Sequence, residues 1–265
     1  MNENQEELEY LPYIVLPNLD YDAQLRFIKE LLATHKQQIE VTEKSIEEIT
    51  QYLKNNFKDH SAEYLEYLND ERGEKIHSSI YQSATHSMSA IGMLAPFIES
   101  LFYQVFYGIK AVFYETSQHP TDHVRWKSNE TEVWDCHYTW KNGSRDQNPN
   151  IVEGIMQLSD AVGLKSFLPS DTKLILTVLF SYRNKMFHCG LEWPIEERKK
   201  FYSRTKNERW PESWISFSTI GDEPWIFYLT DEFIQKCIGL SENVILGIAQ
   251  YVKYKIHEIE ELNKL

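Results

Sequence analysis

Only three cysteines, Cys136, Cys189 and Cys237, occur in 265 residues. They are too few and too scattered for a disulfide framework, which excludes a small secreted scaffold held by bridges. Nothing near the N-terminus has the basic-then-apolar order of a secretory signal, so the expected location is reducing and cytoplasmic. Basic residues are also in short supply: 27 Lys and Arg stand against 40 Asp and Glu, a formal charge of −13. Such a chain does not coat nucleic acid non-specifically, because phosphate binding rests on clustered cations that release counterions. Any contact with phosphate must be local. Internal repeats and low-complexity tracts are lacking as well.

What is present is enough chain for one large domain, or a domain carrying a sizeable insertion. Aromatic residues, mostly Tyr and Phe, make up 14% of it and supply large buried area per side chain. A packed fold is expected, not disorder. The apolar stretch from Ile91 to Ile109 is long enough to resemble a membrane span, but it holds Pro96, Glu99 and Gln104 and lacks flanking basic clusters. It reads as a buried central helix, and no membrane partner is expected.

The periodicity predicts a mostly α protein. Asp20 is a plausible N-cap for a helix over about 21–55, in which Leu25, Ile28, Leu32, Ile39, Ile46, Ile49 and Leu53 fall on heptad a and d positions. That stripe needs a partner surface, either within its own bundle or on a second copy of the chain. An amphipathic piece over Ala62 to Leu68 meets a polar break at Asn69 to Gly73, and helix resumes over about 76–114. From 115 to 150 periodicity disappears and turn residues dominate, which predicts an irregular insertion. Helices follow within 151–190, then a short β-hairpin around Gly221-Asp222-Glu223-Pro224, then a last helix over about 231–262 capped by Thr230. The expected organisation is a single helical domain over 1–265.

The segment Ser181-Tyr182-Arg183-Asn184-Lys185-Met186-Phe187-His188-Cys189-Gly190 is the most informative. Apolar residues from Leu174 to Phe180 precede it, so a buried helix delivers a polar last turn to a surface or cleft. Gly190 suits the left-handed position that ends a helix. His188 then sits in the last turn, where the negative end of the helix macrodipole favours an imidazolium. Asn184 and His188 share a face, whereas Arg183 and His188 diverge by about 140° on an ideal helix. The arginine must reach around, or the helix end must tighten, for the two to address one phosphate.

In Arg183-Asn184-x3-His188 with its following glycine, and in Glu99 on an apolar helix upstream, the chain resembles the HEPN superfamily of helical nucleases and binding modules. The resemblance covers about 91–190. It implies a HEPN-like bundle and metal-independent cleavage of RNA, with the ribose 2′-hydroxyl attacking the adjacent phosphate. By the same analogy His188 is the general acid or base, Arg183 neutralises charge on the phosphorane, and Asn184 and Glu99 complete the site. It further implies a homodimer that pairs two motifs, and a role in stress response or phage defence with an antitoxin or other defence-system partner. No tyrosine stands two positions after His188, unlike the toxin subgroup paired with nucleotidyltransferases. The alternative is a non-catalytic module of the same shape that binds RNA, nucleotide or a partner protein.

Two further clusters bear on binding. Arg198, Lys199, Lys200, Arg204, Lys206 and Arg209 form a basic island broken by one acidic residue, Glu208, and Phe201 and Tyr202 within it could stack on unpaired bases. The competing reading is a solvated helix face. His119, His123, Cys136 and His137 invite a zinc reading, but Pro120 disrupts the helix that His-x3-His would need, and a loop packed by Trp126, Trp134 and Trp140 is the expectation. No cofactor or metal is expected. Cys189 beside His188 is read as incidental, since adjacency does not make a nucleophile and its base.

Overall fold

A computed structural model describes residues 19–56, 60–116, 121–129, 131–147 and 150–262. Six α-helices dominate them: α1 (Tyr21–Asn55), α2 (Ala62–Thr116), α3 (Ile151–Val162), α4 (Thr172–Cys189), α5 (Ile195–Asn207) and α6 (Asp231–Leu262). Two small antiparallel ribbons join them: β1 (Trp140–Lys141) with β2 (Ser144–Arg145), and β3 (Ile215–Ile220) with β4 (Glu223–Leu229). The expected mostly α class is what is found.

Helix ends form where the local chemistry directs them. The Asp20 carboxylate accepts a bond from the Ala23 N–H at 2.8 Å, Asn150 caps α3 through Val152 and Glu153, and Thr230 accepts from Phe233 at 3.3 Å. Gly190 closes α4 with φ +72°, its N–H donating to the Met186 carbonyl at 2.9 Å. One expectation fails. The polar stretch from Asn69 to Gly73 does not break the chain; helix runs unbroken from Ala62 to Thr116, through Pro96. The reason is a second heptad stripe: Leu65 and Leu68 are buried, and Arg72, Lys75, Ser79 and Gln82 continue the a/d spacing as half-exposed positions. A glycine in that helix costs about 1 kcal/mol against alanine, which packing can offset.

The described residues gather into two compact units, and α1, α2, α4 and α6 each contribute to both. The first unit takes residues 94–180 and 236 onward together with the start of α1. Ile98, Leu101, Phe102, Val105, Phe106 and Ile109 of α2 are buried in it, as a central helix requires. By length and composition α2 could cross a membrane, yet this burial is that of a core helix. The Tyr251 hydroxyl donates to the Val162 carbonyl at 2.9 Å, joining α6 to the end of α3. A Cβ on Gly154 would come within 2.0 Å of the Cys136 carbonyl oxygen, so the 136–138 backbone lies directly on α3.

That irregular stretch, the expected insertion, has a definite organiser. Arg125 is fully buried and spends its guanidinium on the carbonyls of Val133, Asp135 and Tyr138 and on Gln157 Oε1, while stacking 4.2 Å from the Trp140 ring. Burial pulls its pKa down to about 10, still well above neutrality. Gln157 in turn bridges both backbone polar groups of Trp140. The three-tryptophan packing read from sequence is realised in part by Trp126 against Trp134, with ring centres 4.9 Å apart.

The second unit takes residues 26–93 and 181–235. Its α1 and α2 portions run antiparallel: the His35 and His86 ring centres lie 6.1 Å apart, and the Tyr52 hydroxyl lies 2.7 Å from His60 Nε2. The α1 heptad stripe therefore faces its own hairpin, with Leu32 buried and Ile39, Ile46, Ile49 and Leu53 half-exposed. The β3–β4 hairpin pairs Phe217 with Phe227 and is anchored to α2 by Ser87, whose Oγ accepts from the Leu229 N–H at 2.8 Å. Its turn is tighter than expected, since Glu223 and Pro224 already belong to β4 and Gly221 takes φ +60°.

Candidate functional site

The motif helix is held from below by aromatic packing. Tyr182 is fully buried and donates to the Phe227 carbonyl at 2.9 Å; Trp193, just beyond the helix, stacks on Phe227 at 5.2 Å and donates to the Gly190 carbonyl. Met186 is buried one turn after Tyr182. With Tyr182 and Met186 facing inward, helical geometry turns Asn184, Phe187 and His188 outward, and all three are exposed. Arg183 is half-buried on the flank: its Nη1 donates to Asn184 Oδ1 at 3.2 Å and its guanidinium carbon lies 5.5 Å from the Phe187 ring centre.

Arg183 has no carboxylate partner among the described residues, and its Nε is buried without a hydrogen bond. Arg72 likewise has a buried Nε without a hydrogen bond; Arg183 is set apart by its place beside Asn184 and Phe187 on the motif helix, where its outer guanidinium nitrogens can donate to an anion. Among the described residues no hydrogen bond or ion pair joins Arg183 to His188, as their 140° divergence on an ideal helix anticipates. Lys185, on the same turn, is instead tied to Glu197 of α5.

Glu99 belongs to the first unit, where its Oε1 lies 3.0 Å from His137 Nε2. The other ring nitrogen of His137 lies 2.7 Å from Asp135 Oδ1, so the imidazole is clamped between two carboxylates. Burial works against its charge, but the bonds to Glu99 and Asp135 outweigh that and raise its pKa. The donor atoms of Asp135, Cys136 and His137 lie within 4.8 Å of one another. Both nitrogens of His137 are nevertheless engaged, and burial pushes the Cys136 thiol up to about 12. His123 bonds the Arg125 N–H through Nδ1, and His119 lies outside the described residues.

The basic island folds as α5 and the residues just beyond it, with four of its six cations paired to carboxylates. Lys199 pairs with Glu223 at 3.1 Å, Lys200 with Glu197 at 2.9 Å, Arg204 with Glu208 at 2.7 Å and Lys206 with Glu212 at 2.5 Å. Arg198 donates to the Trp193 carbonyl, and Arg209 takes a left-handed φ of +54° just beyond the helix. Glu212 and Glu223 stand outside the window that looked basic, so the folded segment carries less positive charge than the window suggests, while Arg198 and Arg209 have no carboxylate partner among the described residues. Exposed pairs of this kind are worth about 0–1 kcal/mol each and remain exchangeable for phosphate. Phe201 does not face solvent as expected. It is buried among Trp193, Trp210 and Phe227, whereas Tyr202 beside it is exposed enough to touch a ligand.

Compared with protein families, curated proteins and solved structures, the chain matches none. The residues and their geometry alone carry the functional reading. A feature the sequence reading missed is the cleft of about 320 Å³ between α5 and the β3–β4 hairpin, walled by Tyr202, Trp210, Phe217 and Phe227 with Lys206 and Glu212 beside them. The aromatic content of residues 201–227 was its available signal.

Proposed function

We propose that the chain is an endoribonuclease of HEPN type. The observation that carries this reading is Arg183, a half-buried arginine without a carboxylate partner among the described residues, bonded to Asn184, which lies about one turn from an exposed His188. In the reaction the 2′-hydroxyl oxygen bonds to phosphorus as its proton passes to a histidine, and the bond from phosphorus to the 5′-oxygen breaks as that oxygen receives a proton. The products are a 2′,3′-cyclic phosphate and a 5′-hydroxyl. Arg183 stabilises charge on the equatorial oxygens and Asn184 holds the guanidinium. Two protonation roles call for two histidines, which a homodimer supplies. A function in stress response or phage defence, with a defence-system partner, belongs to the same proposal.

The separation of Arg183 from His188 favours a second reading, a non-catalytic module that binds RNA, nucleotide or a partner protein through Arg183. Cleavage of RNA by the wild type and by His188→Ala distinguishes the two.

A further inference from the structure

The cleft between α5 and the β3–β4 hairpin has the chemistry of a base-binding site. Its volume, about 320 Å³, lies at the small end of ligand pockets and suits one planar ring system. Trp210 and Phe227 are buried in the wall, while Tyr202 is 36% exposed and crosses Phe217 edge to face at 5.4 Å. Aromatic walls with one accessible ring hold an unpaired base by stacking.

The polar rim adds direction. Lys206 Nζ lies 2.5 Å from Glu212 Oε1 and 5.8 Å from the Tyr202 ring centre, with the two side chains 50% and 82% exposed. A pair so exposed is readily exchanged. Its ammonium and carboxylate then offer one donor and one two-oxygen acceptor to a base edge. Guanine presents two adjacent donors, N1–H and N2–H, beside the O6 acceptor, and matches that rim best. The cleft is also fixed to the motif helix, because Tyr182, the residue before Arg183, bonds to the carbonyl of Phe227 in its wall.

We infer that the α5–hairpin cleft binds an unpaired nucleobase of single-stranded RNA, guanine by preference, stacked on Tyr202 and read by Lys206 and Glu212. This deepens the ribonuclease reading by naming how its substrate is held. The test is fluorescence anisotropy with the full-length His188→Ala protein, which removes the proposed proton transfer. The probes are an alternating guanosine–uridine hexanucleotide, an all-uridine hexanucleotide, and a hexamer of abasic riboses carrying the same phosphates. The abasic hexamer should bind about 5- to 100-fold more weakly than the guanosine-containing one, the range of one lost base stack. Tyr202→Leu should weaken the base-bearing hexamers and leave the abasic one unchanged. Glu212→Gln should abolish the preference for guanosine over uridine.

Equal affinity for the base-bearing and abasic hexamers overturns the inference, as does a Tyr202→Leu loss equal for both, or no binding of any hexamer. Saturable binding of guanosine monophosphate without base-dependent hexamer binding overturns it in favour of a free-nucleotide site. Cleavage by the wild type is scored separately, so a cleft that binds bases in a protein that cleaves nothing removes the nuclease reading alone.

Discussion

The hydroxyl of Tyr182 donates to the carbonyl of Phe227 at 2.9 Å, tying the residue before Arg183 to the middle of β4. Both side chains are buried, and burial pushes the Tyr182 phenol well above its ordinary pKa, so it stays a donor throughout the working range. Tyr182→Phe removes the donor and strands the carbonyl, at an expected cost of about 1–3 kcal/mol. Urea unfolding should show a lower midpoint with little change in slope. Any RNA cleavage should fall far less than in His188→Ala, since the bond positions the helix without touching substrate.

Arg125 holds residues 133–138 against α3 through the carbonyls of Val133, Asp135 and Tyr138 and through Gln157. Arg125→Met keeps most of the packing against Trp140 and leaves the acceptors unpaired, each costing about 1–3 kcal/mol when buried. Thermal unfolding should therefore drop by many degrees. Proteolysis confined to 121–147 in the variant checks that this stretch opens first; a variant as stable as wild type contradicts the assignment.

His137 gives stability a pH signature. Its folded pKa is raised above the unfolded 6.5 by Glu99 and Asp135 despite burial. The stabilisation is thus fully present below the unfolded value and is lost as pH rises through the folded one. The difference in melting temperature between wild type and His137→Gln should be largest near about pH 5.5–6 and shrink toward about pH 8–9. A gap that widens with rising pH reverses the sign and removes the clamp.

Much of this was readable in the sequence. Heptad spacing located α1 to its ends, and Asp20, Thr230 and Gly190 marked helix termini because capping is local chemistry. The unbroken α2 was not readable, because its continuity comes from a stripe in which Leu65 and Leu68 give way to Arg72 and Gln82 opposite α1. That Asn184 and His188 share a face, with Arg183 turned away from His188, followed from spacing. Two non-local facts did not: Glu99 is engaged with His137, and Lys199 and Lys206 of α5 are paired with Glu223 and Glu212 from the chain beyond it.

The proposed mechanism predicts a homodimer, because its two protonation roles need a second His188. Light scattering at micromolar concentration should give twice the 31.4 kDa chain mass. A value at the monomer mass would contradict the paired site.

His188 separates catalysis from binding, so its removal tests the central claim most directly. Wild type and His188→Ala are incubated with total RNA at matched concentration in EDTA, and initial rates and product ends are compared. The account predicts cleavage by the wild type that leaves 2′,3′-cyclic phosphates, and a loss of about 10²–10⁴-fold in the variant, the range for a positioned acid or base. Equal rates, or activity that EDTA abolishes and Mg²⁺ restores, would contradict it.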